Sequence, residues 1–249
     1  MSSNRSKPTE VDRYLKSAVR NLRRFNGIRA IVLIGSYARE DASPQSDIDI
    51  LTILKRMVPR RRLTTLLPKG RLARKVSILP MTANMFRLRY KMGGLFIRHV
   101  VDEGKLLYDD GLYHHLTRIP MPDSRDDSTR ELETIRRRVE LYSDPSIFNG
   151  LYLDFYVRIY RLATETMIIS SALRGNPIYN KHEALKEFIR SHPTLKSEAT
   201  NLARLEPFYS LGVRHSEGKL PFSPVNTRLS EVRKVVSDLE RVVEVVQAE

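Results

Sequence analysis

The stretch Gly35-Ser36-Tyr37-Ala38-Arg39-Glu40, followed after a short loop by Ser46-Asp47-Ile48-Asp49-Ile50, decides how the rest of the chain is read. It follows an apolar run, Ile31 to Ile34, that reads as a buried strand. Gly35 permits a turn that a residue with a Cβ would resist. Ser36 to Glu40 then reads as the first turn of a short helix. The free N–H groups at such a start, with the helix dipole behind them, suit a phosphate chain. A second strand is expected over 47–54. Asp47 and Asp49 are two apart, so on a strand both carboxylates face one way while Ile48 and Ile50 face a core. Two carboxylates opposite a phosphate cradle make an oxygen-ligand site for Mg²⁺.

Taken singly, Gly-Ser is a turn and Asp-x-Asp is a solvated strand edge. In this order and spacing they resemble the signature of the DNA polymerase β-like nucleotidyltransferases, and most closely its minimal nucleotidyltransferase (MNT) branch. That pattern runs Gly-Ser-x-Ala-Arg-Gly, a short loop, then Ser-Asp-x-Asp. The resemblance covers roughly residues 10–110. It implies Gly35, Ser36 and Arg39 as nucleotide-binding residues. Asp47 and Asp49 become the catalytic carboxylates that hold one or two Mg²⁺ ions, and the substrate is a nucleoside triphosphate. Arg39 would either support the triphosphate or brace the loop.

The sequence departs from the pattern twice. Glu40 stands where the branch has Gly. On the third strand, expected over 76–81, the branch carries a further carboxylate flanked by apolar residues, and here the triplet is Val76-Ser77-Ile78. Serine is neither an anionic ligand nor a general base at neutral pH. No acid lies between Asp49 and Asp102 to replace it. The resemblance therefore implies Mg-dependent transfer of a nucleoside monophosphate to an acceptor hydroxyl. The alternative is a degenerate nucleotide-binding or partner-binding protein, of antitoxin or sensor-subunit type.

At 249 residues the chain has room for one or two cored domains. Cysteine is absent, which excludes disulfides and thiolate metal sites and fits a reducing cytoplasm. The N-terminus shows no apolar leader, and no apolar run approaches a membrane span. Residues 1–7 are expected to form a tail.

The composition shifts near Ile119–Asp123. This predicts a nucleotidyltransferase domain over 1–123, with a mixed sheet flanked by helices, and an all-α helical bundle over 124–249. Charge divides at the same place. Residues 1–123 carry 24 Lys and Arg against 11 Asp and Glu, whereas residues 124–249 carry 19 against 18. Within the first half, residues 50–101 hold 13 basic residues and no acid. Solvated surfaces usually mix both signs. The imbalance argues against a polycationic acceptor such as an aminoglycoside and for an anionic one: tRNA or other RNA, a DNA end, or an oligonucleotide. A partner protein is the other acceptor in view.

The second half reads as helices over 129–142, 151–173, 197–211 and 227–247, with Asn180 capping another and a polar loop over 212–224. Leu229, Val232, Val236, Leu239, Val243 and Val246 form a seam, which predicts packing inside the bundle first and a homodimer contact second. Tyr152, Tyr156 and Tyr160 stand one turn apart, a stripe that is core more often than a base-stacking platform. Glu165 is the one acid of the long helix weighed as a substitute base, against an i,i+4 pair with Arg161. Histidine spacings show no metal set and no ribonuclease pattern.

Overall fold

The computed structural model describes residues 9–43, 46–148, 151–216 and 228–249. The expected tail and most of the polar loop lie outside the described residues. The chain divides into two compact units, Met1–Asp123 and Ser124–Glu249.

The first unit opens with helix α1 (Glu10–Arg23). The side chain of Thr9 accepts from the N–H of Asp12 while Asp12 reaches back to Thr9, which satisfies two of the first-turn donors. Then come β1 (Ile28–Ile34), the single turn α2 (Ser36–Arg39) and β2 (Ile48–Leu54). The short helix α3 (Arg60–Thr64) lies on the way to β3 (Val76–Thr82). After α4 (Ala83–Lys91) and α5 (Leu95–Glu103) come β4 (Lys105–Asp109) and α6 (Leu112–Thr117). The four strands form one sheet in the order β3-β2-β1-β4. Only the β2–β3 pair is parallel. A parallel pair cannot be closed by a tight turn, so the segment 55–75 serves as the crossover.

The sheet is apolar on both faces, which is why β1 and β2 read as continuous apolar runs. Leu33, Ile48, Ile50 and Ile78 pack with Leu15, Ala18 and Leu22 of α1 and Leu63 of α3. Val32, Ile34, Leu51 and Ile53 pack on the other side with Phe86 of α4, Ile97 and Val100 of α5, and Leu116 of α6. The mixed sheet and helical flanks agree with the expected fold class.

The chain breaks between α4 and α5 at Gly93 and Gly94. Gly93 has φ +69°, and a Cβ there would meet the carbonyl oxygen of Asp123 at 2.3 Å, so the break also seats the chain end of the unit. β2 begins at Ile48, so Asp47 stands just before the strand and not within it.

The second unit contains α7 (Arg125–Tyr142), α8 (Tyr152–Leu173), α9 (Lys181–Ser191), α10 (Lys196–Ala203), α11 (Glu206–Ser216) and α12 (Leu229–Gln247). The helix expected over 197–211 is divided at Arg204–Leu205, before Pro207, because proline removes a backbone donor. Asn180 caps α9 by accepting from the N–H groups of His182 and Glu183. Val232, Val236, Leu239, Val243 and Val246 are buried, and α12 packs on α7, α8 and α10 of its own unit. Leu229, read as part of that seam, is 52% exposed at the helix start. No helix among the described residues is long and apolar enough to cross a membrane.

Candidate active site

The register of the sheet builds the site. Ile34 pairs with Asp49 across β1 and β2, so Gly35, the next residue, turns directly above Asp49. Gly35 has φ +71°, a left-handed region that a Cβ disfavours, and a Cβ built there would stand 3.1 Å from Asp49 Oδ2. Both reasons require glycine. The N–H groups of Ala38 and Arg39 donate to the Gly35 carbonyl and start α2. Those of Ser36 and Tyr37 are first-turn donors, which α-helical geometry leaves without an intrahelical acceptor.

Asp49 is half-buried, and burial together with the charge of Asp47 pushes its carboxyl up to about 6. A hydrogen bond from the Ser77 hydroxyl pulls the other way, as does the charge of Arg60. The parallel register pairs Asp49 with Ser77. Neighbouring strands lie about 4.8 Å apart, so Ser77 occupies the place on β3 that faces the carboxylates. The guanidinium of Arg60, the first residue of α3, donates from Nη2 to Ser77 Oγ at 3.3 Å. Among the described residues no group of three His, Cys, Asp or Glu side chains is gathered as a metal cluster.

The loop beyond Gly35 is held by charge. Arg39 Nε donates to Asp41 Oδ2 and its Nη1 to Glu103 Oε2, both at 3.1 Å. Of the two roles weighed for Arg39, this geometry is that of a brace. Glu103 also faces His99 Nδ1 at 3.2 Å. Burial and the Arg39 charge drop the His99 imidazole to about 4, against the weaker pull of Asp102, so the ring is neutral at pH 7. Glu40 closes α2 in the left-handed conformation at φ 68°, the one non-glycine described residue with positive φ. Its carboxylate pairs with Lys105 of β4. The departure from glycine at this position thus adopts the backbone conformation that glycine serves.

Residues 15–135 match the family described as a nucleotidyltransferase domain, a span that runs past Asp123 into α7. The chain carries a nucleotidyltransferase domain. By that match it is a transferase whose general chemistry is movement of a nucleotidyl group. Among solved structures, the spectinomycin adenyltransferase AAD(9) from Enterococcus faecialis, crystallised with ATP and spectinomycin, aligns with 92% of this chain and 99% of its own. The TM-score is 0.50 and the identity 12%, a likeness of fold. No curated protein matches the sequence.

The residues of the second unit raised by sequence take other places. Tyr156 and Tyr160 are buried, and their rings lie 4.8 Å from Phe208 and 5.1 Å from Tyr209, so this part of the stripe is core. Glu165 is on α8 with Arg138 and Arg161 as its opposing charges. Sequence reasoning missed Arg60, His99 and Glu103. Arg60 was visible only as one of many basic residues, and nothing in the string marks which of them reaches Ser77.

Proposed function

We propose that the protein is a Mg²⁺-dependent nucleotidyltransferase that moves a nucleoside monophosphate from a nucleoside triphosphate to a hydroxyl of an anionic acceptor. The observation that carries the reading is the packing of Gly35 on Asp49, with Asp47 beside it, inside a nucleotidyltransferase domain. In this reading Gly35 and Ser36 cradle the β- and γ-phosphates through backbone N–H groups and the Ser36 hydroxyl. Arg39 keeps the loop in shape through Asp41 and Glu103. Asp47 and Asp49 hold the metal, and the donor set fits it. Two carboxylates forced together in a partly buried place are relieved by a divalent cation, and oxygen is the ligand that Mg²⁺ takes. When bound, Mg²⁺ supplies charge neutralisation at the phosphates. The acceptor oxygen bonds to the α-phosphorus, the bond to pyrophosphate breaks, and the hydroxyl proton passes to water.

The anionic acceptor follows from charge. Lys55, Arg56, Arg60, Arg61, Arg62 and Arg74 are exposed along the crossover that ends beside Ser77. AAD(9) was crystallised with ATP and spectinomycin, but in this chain an acid-free basic segment would repel a polycation. The test is incubation of the full chain with each labelled NTP and dNTP and Mg²⁺, with and without RNA, DNA ends or aminoglycosides. Label in nucleic acid is expected. Label only in a basic small molecule would refute the acceptor class.

Ser77 favours a second reading, a nucleotide-binding protein that has lost catalysis. Ser77→Asp discriminates: strong transfer by the variant where the natural protein shows none, with its natural partner present, would establish it.

A further inference from the structure

In two-metal transfer sites one ion neutralises the attacking oxygen and the other the leaving one, and the protein holds the pair with clustered carboxylates. Asp47 and Asp49 are the carboxylates of the site, and the position paired with Asp49 on β3, where a third carboxylate would add a ligand for a second ion, is Ser77, a neutral hydroxyl. A cationic side chain already lies there, with Arg60 Nη2 3.3 Å from Ser77 Oγ. A second divalent ion at that place would lack a carboxylate and would face a guanidinium at close range. A resident cation and an incoming one repel, and arginine cannot escape by losing its proton.

We infer that Arg60 takes the place of the acceptor-side metal, making this a one-metal transferase in which a guanidinium neutralises charge on the attacking side. This rests on the nucleotidyltransferase reading above. The fold makes the substitution available. The crossover between the parallel strands β2 and β3 must pass near the ends of both, and Pro59 starts α3 with Arg60 as its first residue. The side chain therefore enters from the crossover, while Ser77, a neutral hydroxyl, accepts from one of its nitrogens. Serine at position 77 and arginine at position 60 are then one adaptation. An aspartate at 77 would bind Arg60 as a salt bridge and withdraw it from the acceptor. The bonds made and broken are those of the transfer itself. The acceptor oxygen joins the α-phosphorus, the electron pair of the broken bond leaves with pyrophosphate, and the proton goes to water.

The test counts metal ions in the full chain. Mn²⁺ replaces Mg²⁺, and the probe is a nucleoside triphosphate with a non-cleavable α,β-methylene bridge, tried with each base. The electron paramagnetic resonance spectrum reports both stoichiometry and coupling between ions. The expected wild-type complex holds one Mn²⁺ per chain, uncoupled. The Arg60→Ala/Ser77→Asp double variant should hold a second Mn²⁺, coupled to the first. Two coupled ions in the wild type would overturn the inference while leaving the nucleotide reading intact, as would a single ion in a folded double variant. No ion in the wild type would overturn both. If the double variant does not fold, the wild-type count decides alone. Arg60→Ala, a change at an exposed position, should lower transfer by about 10²–10³-fold with little change in nucleotide affinity, and Arg60→Lys should recover part of the loss. An unchanged rate in Arg60→Ala would count against the inference.

Discussion

Lowering the pH from 7 to 4 should weaken the fold by charging the buried His99 ring, and the size of the effect follows from its surroundings. The ring is packed on α5, facing Glu103 on its own helix, Arg39 from α2 and Asp102 beside it. Burial and Arg39 drop it to about 4, from 6.5 in an open chain. The folded value is depressed, so the unfolded chain takes up a proton first as the pH falls. The stability that His99 confers is thus complete above pH 6.5 and is lost between 6.5 and 4. Each unit of separation is worth about 1.4 kcal/mol, so the full loss is about 3 kcal/mol. His99→Gln keeps a polar, hydrogen-bonding side chain but cannot titrate. Calorimetric unfolding of both proteins across pH 4–8 in EDTA should show the wild type losing about 3 kcal/mol more than the variant, or about 6–12 °C in Tm. Other carboxylates titrate in both proteins and cancel in the difference. Parallel pH profiles for the two would refute the assignment of His99 as a buried neutral group.

Other perturbations test the rest of the site. Asp49→Asn should stabilise the metal-free protein at pH 8 by up to about 3 kcal/mol. The folded carboxyl sits near 6 against 3.8 in the open chain, so ionising it costs the fold as the pH rises through that window. The gain should vanish at pH 4, and Mg²⁺ with nucleotide should stabilise only the wild type; a variant less stable than wild type at pH 8 in EDTA would contradict this. Gly35→Ala should cost about 1–2 kcal/mol from the left-handed backbone alone and abolish nucleotide binding, read by urea unfolding and by titration calorimetry. Phe86→Ala removes a fully buried ring from the α4 side of the sheet and should cost about 3–5 kcal/mol in chemical denaturation. If the acceptor is a nucleic acid, a plot of log affinity against log salt should be steep, and neutralising Arg61, Arg62 and Arg74 together should flatten its slope by about 2–3.

The string of residues determined the central strands and the likeness to nucleotidyltransferases. Apolar runs in β1 and β2 can only be strands buried on both faces, and Gly-Ser followed at fixed distance by Asp-x-Asp is a local pattern, set by a turn and a strand pleat that lie close in sequence. The same local physics placed Asn180 as a cap. Helix ends were less legible. The break at Gly93 is decided by the carbonyl of Asp123, which approaches from thirty residues away. Burial of the α12 seam was legible, but its packing on α7, α8 and α10 was not, because periodicity gives the apolar face and not what covers it. The missing carboxylate could be read from Val76-Ser77-Ile78. What stands in its place could not, since Arg60 is one of 13 basic residues in its segment and only the packing of α3 against β3 brings it to Ser77. Likewise the neutrality of His99 and the raised carboxyl of Asp49 depend on burial and on charges from other elements. Those are properties of the packed chain, which the order of residues does not contain.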